Sequence, residues 1–178
     1  DNGINWEEAS KHVLKRGITG WDQRKVSSPL LRYEPDDSTY HLYYSGMASD
    51  ESKSIGYAVS DEPLSGYEKP SKNPICEPAD INKELATEYD SIIVADLVRM
   101  DDEFIFYGTA RSESDSVIWM AKGNDWTDIS NFEKVLSQSD LDVGSFVQTP
   151  SVISVDDMYV MQFTAGENSE MLNEKRLY

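Results

Sequence analysis

The sequence predicts an all-β fold: part of a β-propeller, built from consecutive four-stranded antiparallel blades. Three observations predict it. Apolar residues cluster in short runs bounded by Asp, Ser, Gly and Pro. Asp doublets recur at long spacing along the chain. Each doublet is preceded by an apolar stretch and followed by an aromatic segment that ends in small residues.

The doublets are Asp36-Asp37, Asp101-Asp102 and Asp156-Asp157. Before them run Pro29-Leu30-Leu31, Leu97-Val98 and Pro150-Ser151-Val152-Ile153. After them come Tyr40–Gly46, Phe104–Ala110 and Tyr159–Gly166, each an alternating aromatic segment that ends in small residues. A strand, an Asp-rich turn and a second strand make a hairpin, because Asp accepts local backbone hydrogen bonds in tight turns. A third strand follows twice, as Ile55–Ser60 and Ile118–Gly123. A fourth aligns Tyr67-Glu68-Lys69 with Phe132-Glu133-Lys134, and Trp6-Glu7-Glu8 fits the same place in a preceding unit.

The expected strands are therefore 26–33, 39–45, 54–60 and 66–69 in one blade, and 92–99, 103–109, 116–122 and 132–136 in the next. Residues 1–20 hold the outer strand of a preceding blade, 21–80 and 81–140 are blades, and 141–178 is an incomplete one. All form one partial propeller domain. Segment Asp80–Tyr89 is the one stretch suited to a helical turn or two, and it falls between blades. A sandwich lacks the recurring four-strand unit, and period-2 alternation argues against a helical fold.

With 33 acidic and 16 basic residues the formal charge is −17. Such a surface repels phosphate backbones and anionic lipid, so neither nucleic acid nor membrane is an expected partner. No apolar run is long enough for a spanning helix. The single cysteine, Cys76, excludes an internal disulfide and reads as a loop or strand-end residue. The first residues have no basic start and no apolar stretch, so they do not read as a signal peptide.

Tyr43-Tyr44-Ser45-Gly46, then Ile55–Asp61, then Tyr67-Glu68-Lys69 resemble a blade of the five-bladed propellers of glycoside hydrolase families 43 and 32. The related family 130, the mannoside-phosphorylase-like group, has the same style of blade. Residues 21–69 match this grammar well, 90–136 more loosely, and 142–178 as a partial blade. The resemblance implies a carbohydrate-active propeller of which about three blades are present. Its activity would be glycoside hydrolysis on a poly- or oligosaccharide, with non-catalytic glycan binding or protein interaction on the same scaffold as the alternative. A secreted or periplasmic location is favoured over the cytoplasm. A chain with under three blades is expected either to self-associate or to be completed by the rest of a propeller.

In a propeller the first strand of each blade lines the channel. Aligned at Pro29, Leu97 and Pro150, the sequence puts Ser28, Asp96 and Thr149 in one position, so Asp96 is the lone carboxylate there. The resembled hydrolases carry catalytic Asp residues at this strand start, and a Glu one residue earlier in a third blade. That last place holds Gln148, which cannot donate a proton to a leaving oxygen. The candidate catalytic residues are Asp96 and Asp22, to be weighed against a buried Asp96 that serves only backbone amides.

Trp21-Asp22 and Tyr89-Asp90 stand at equal spacing before Pro29 and Leu97. An aromatic face beside a carboxylate suits a sugar, and it equally suits a turn in which the ring covers the inter-blade core. Trp21, Tyr89, Asp90, Arg111 and Gln148 are the candidate substrate-binding residues, with Arg111 or Glu113 at the channel rim. His41 reads as a packed or solvated strand residue. No His, Cys and carboxylate cluster has zinc spacing. The Asp doublets can attract Ca²⁺, but as hairpin turns they read as exposed caps, and no cofactor is expected.

Overall fold

The computed structural model describes residues 12–100, 103–141, 146–156, 158–166 and 176–177. The first blade holds β1 (Lys25–Glu34), β2 (Thr39–Met47) and β3 (Lys53–Ser60). The second holds β4 (Ser91–Met100), β5 (Glu103–Arg111), β6 (Ser116–Gly123) and β7 (Ser130–Ser137). The third contains β8 (Phe146–Val155), β9 (Met158–Gly166) and β10 (Arg176–Leu177). Strands within each blade pair antiparallel in chain order. A single parallel bridge, Lys53↔Ser91, joins the first blade to the second.

Strand positions agree with the sequence reading at seven of the eight expected places, within the residue or two by which strand ends vary. The exception is the fourth strand of the first blade. Only Glu68 pairs there, exchanging both backbone bonds with Val59. The rest of the β3 edge is satisfied by other means. The Asn73 amide accepts from Tyr57 N at 2.9 Å and donates to Tyr57 O at 2.7 Å, copying a strand neighbour. Ile55 N donates to Cys76 O, and Ile75 N donates back to Ile55 O. Buried backbone groups must be paired, and here a side-chain amide and a loop do what a strand does elsewhere.

Helix α1 (Pro78–Leu85) fills the connection between the blades. Pro78 suits a first turn, where its missing N–H costs nothing, and Asp80 Oδ2 accepts from Glu77 N at 2.8 Å. Ile81 is its one buried residue. Glu84 accepts from Phe132 N at 2.6 Å, tying the helix to β7.

The main core lies between the first two blades. Tyr43, Ile55 and Tyr57 meet Ile92, Val94, Phe104, Phe106 and Trp119. Tyr43 meets Phe106 edge-on, with ring centres 5.6 Å apart, and its hydroxyl donates to Trp126 O at 2.7 Å. The third blade packs on the second through Val152 against Ile105 and Tyr107, and through Val147 and Ala165 against Ile118.

Cys76 is buried at a bridge with Ile55, and burial raises its thiol pKa. His41 is packed rather than solvated, with its ring stacked on Trp126 at 3.7 Å. Of the doublets, Asp36-Asp37 sits in the β1–β2 turn, where Asp37 accepts from Thr39 N. Asp101, Asp102, Asp157 and the Trp6 segment lie outside the described residues. Among the described residues no helix is long and apolar enough to cross a membrane, and no three His, Cys, Asp or Glu side chains gather as a metal site requires.

Candidate functional site

Each inner strand carries an extra residue near its start. In β1 the ladder passes from Ser27↔Ser45 to Leu30↔Tyr43, and in β8 from Gln148↔Thr164 to Ser151↔Gln162. Ser28 and Thr149 both take φ 52° there, so they do occupy one position. β4 differs. Its ladder runs Val94↔Gly108 then Asp96↔Tyr107, which makes Ala95 the extra residue and places Asp96 back in the ladder. The expected equivalence of Asp96 with Ser28 and Thr149 is thus off by one residue, because the bulge in β4 is built without a left-handed residue.

Asp96 is 7 % exposed and braces three inner strands. Its Oδ1 accepts from Leu97 N at 2.8 Å and from the Arg32 guanidinium of β1. Its Oδ2 accepts from Val152 N at 2.7 Å and Ser151 Oγ at 3.3 Å, both on β8. Four donors from three strands engage the carboxylate, so its hydrogen bonds in this structure tie the inner strands together.

The aromatic–Asp pairs divide in the same way. Trp21 stacks on Tyr44 at 5.6 Å and lies across Gly46 and Gly56. A methyl at either glycine would come within 2.1 and 2.4 Å of the indole, so the ring is a cover for the first blade. Asp22 is buried and accepts from Lys69 Nζ at 2.6 Å and Gly17 N at 3.1 Å. Tyr89 is buried beside α1, where the Asn82 amide brackets its backbone and its hydroxyl donates to Asp115. Burial first, then the Asp115 charge, pushes its pKa up to about 12. Gln148 is half-buried on β8 opposite Thr164, and it is not among the residues that line the cleft holding Asp90.

Asp90 and Arg111 come together. Asp90 N donates to Arg111 O, and Lys53 N donates to Asp90 O, so the first two blades are stitched at this point. Around it opens a cleft of about 550 Å³, lined by Met47, by Asp50–Lys53, by Asp90 and Ser91, and by Arg111–Glu113. The Arg111 guanidinium rests 5.9 Å from the Phe146 ring centre, which orients it from the third blade. Hydrogen bonds from Ser52 Oγ and N hold the Asp50 carboxyl below the usual carboxylate range. Carboxylates of Asp50, Glu51, Asp90 and Glu113 offer acceptors, and Lys53 and Arg111 offer donors, which is the mixed lining that sugar hydroxyls require. Of these lining residues, the sequence had named Asp90, Arg111 and Glu113 as candidates. It missed Asp50, Glu51 and Lys53, although the β2–β3 turn they occupy lies at the same end of its hairpin as the β5–β6 turn that carries Glu113.

No family model matches the sequence, and no curated protein matches it. Solved structures do. An endo-1,4-β-xylanase of Bacteroides thetaiotaomicron is 18% identical with TM-score 0.63, covering 90% of this chain and 50% of its own. A thermostable family-43 glycoside hydrolase is 17% identical with TM-score 0.62, covering 82% and 47%. A family-32 β-fructofuranosidase of Bombyx mori, solved with sucrose, is 12% identical with TM-score 0.57, covering 83% and 32%. The chain thus spans half or less of the length of each of these three. It has the fold of the five-bladed propellers of glycoside hydrolase families 43 and 32, as a partial propeller.

Proposed function

We propose that this chain is part of a carbohydrate-active propeller and that the cleft around Asp90 and Arg111 binds a sugar. The observation that carries this reading is the convergence of Asp90, Arg111, Asp50 and Lys53 where two blades meet, on a scaffold shared with glycosidases. Carboxylates accept from hydroxyls while Arg111 and Lys53 donate to ring or hydroxyl oxygens. In this reading glycoside hydrolysis is the activity of the whole propeller, and the described blades contribute substrate binding. Non-catalytic glycan binding is the second reading. The engagement of Asp96 by four donors and the presence of Gln148 favour it.

Titration of tryptophan fluorescence with xylo- and fructo-oligosaccharides tests binding, and release of reducing sugar tests hydrolysis. Asp90→Asn with Arg111→Ala is expected to weaken binding by about 1–3 kcal/mol, the scale of one or two charge-assisted hydrogen bonds. Absence of binding to every neutral and acidic glycan tried refutes the reading. Binding without reducing-sugar release selects the non-catalytic form.

A further inference from the structure

A second cleft, of about 680 Å³, opens between the segment His12–Ile18 and the start of β1. It adjoins the first. Lys25, in its wall, pairs in the β1–β2 ladder with Met47, which lines the Asp90 cleft. The two sites therefore flank one end of the same ladder, and the Arg24–Glu51 ion pair at 2.6 Å links their rims.

The charges of this second cleft are opposite to those of the chain. Lys15, Arg16, Arg24 and Lys25 line it together with His12, and among the described residues neither Asp nor Glu does. Over the whole chain acidic residues outnumber basic ones by 33 to 16, so four cations gathered in one cleft, of which only Arg24 is paired, to Glu51, depart from the pattern of the chain. Among the described residues, Lys15, Arg16 and Lys25 take part in no ion pair.

The wall is held in place by buried groups. Asp22 accepts from Gly17 N at 3.1 Å and from Lys69 Nζ at 2.6 Å, and the same ammonium donates to Lys15 O at 2.7 Å. Gly17 is needed for this approach, because a methyl there would lie 2.4 Å from Asp22 Oδ1. Arg16 donates to the Gln23 carbonyl. Asp22 is thus a positioning residue: it fixes the backbone from which Lys15 and Arg16 project.

We propose that this basic cleft is a subsite for an anionic sugar residue, a uronate or a sulfate ester, of a glycan that continues into the Asp90 cleft. The proposal rests on the sugar reading of that neighbouring cleft. The division of labour follows from charge. Four carboxylates line the Asp90 cleft and repel an anion, whereas the adjoining cleft attracts one. An extended polyanion such as nucleic acid would meet the repulsion of the whole −17 surface, and one charged sugar would not.

Calorimetric titration of the protein carrying this chain tests the proposal. The probes are tetragalacturonate, a sulfated galactan tetrasaccharide, xylotetraose and a single-stranded oligonucleotide, at about 50 and about 500 mM NaCl, where screening differs severalfold. At low salt at least one acidic tetrasaccharide should bind about 10-fold or more tighter than xylotetraose, and high salt should erode that advantage. The tighter of the two names the anion. Arg16→Ala with Lys25→Ala should cost the acidic ligand about 10-fold and leave xylotetraose unchanged. Three results overturn the subsite: no preference for acid over neutral sugar, full retention of that preference by the double variant, or equal binding of the oligonucleotide. If xylotetraose binds and acidic sugars show no advantage, the subsite alone fails. If no glycan binds, the sugar reading fails with it.

Discussion

Arg32 on β1 and Asp96 on β4 form an ion pair between the innermost strands of neighbouring blades, and the same carboxylate accepts the Val152 amide of β8. One side chain thus sets the spacing of three blades. The Asp side chain is 11% exposed and the Arg side chain 34%, so solvent screens the pair only from the arginine side.

Asp96→Asn tests that role. The amide keeps the volume but replaces one acceptor with an NH₂, which faces the Val152 N–H or the Arg32 guanidinium as donor against donor. It also leaves Arg32 without its counter-charge. A loss of about 2–3 kcal/mol is expected, toward the lower end for breaking a buried pair because Arg32 is partly solvated. Urea unfolding measures it. An unchanged midpoint together with a large loss of glycan binding or turnover would return Asp96 to the site.

The blades were legible because their signal is repeated: alternation, an Asp-rich turn and a terminal small residue recur at each hairpin. What escaped depends on single residues that alternation does not register. Asn73 replaces most of a strand with one amide, and no periodic pattern marks that substitution. The bulge in β4 carries one residue, Ala95, where β1 has Ser28-Pro29 between paired positions, so aligning at the apolar residues misplaced Asp96. The basic cleft was written as two doublets, Lys15-Arg16 and Arg24-Lys25, and the chain-wide acidity hid them. Asp90 and Arg111, which line one cleft, could be named from the sequence because both stand at strand ends.

Trp21 distinguishes a cover from a sugar platform. Its indole contacts Tyr44 and fits over Gly46 and Gly56, where no Cβ is tolerated. Trp21→Ala should cost about 2–3 kcal/mol, less than a fully buried tryptophan because the ring is only half-buried. Gly46→Ala should destabilise by about 1–3 kcal/mol through displacement of the same ring. Both should leave glycan affinity within a factor of about two in the folded protein. A platform would show the reverse: stability kept and binding lost.

His41 predicts a dependence of stability on pH. Its Nδ1 lies 2.5 Å from the Tyr57 hydroxyl, Nε2 lies 2.8 Å from Thr39 Oγ1, and Trp126 covers a face. Burial lowers its pKa below the ordinary imidazole value of 6.5, against smaller opposing effects of the Asp37 and Glu34 charges. The unfolded chain therefore binds the proton more readily than the folded one. Stability from this residue is complete above pH 6.5 and falls as pH drops from there through the lowered folded pKa. Urea midpoints for the wild type should decline between about pH 7 and pH 5, and His41→Gln should flatten that decline while starting from a lower stability. An identical slope in the variant would assign the pH effect to other groups.

The β8–β9 hairpin predicts association of the chain when it is alone. Ile153 is 57% exposed and Met158 63%, with Val155, Tyr159 and Val160 also open to solvent. Consecutive strand residues point to opposite faces, and Ile153, Ser154 and Val155 are all exposed, so both faces of the hairpin end stand uncovered. Apolar surface of this kind is covered in stable soluble proteins, either by an adjoining blade or by another copy. Sedimentation of the 178-residue chain should show its average mass rising above 20.1 kDa with concentration in the micromolar range. Ile153→Lys with Met158→Lys should return it toward the monomer, since charges on an open strand oppose edge and face pairing. A well-folded wild-type monomer at those concentrations would mean that the hairpin needs no cover.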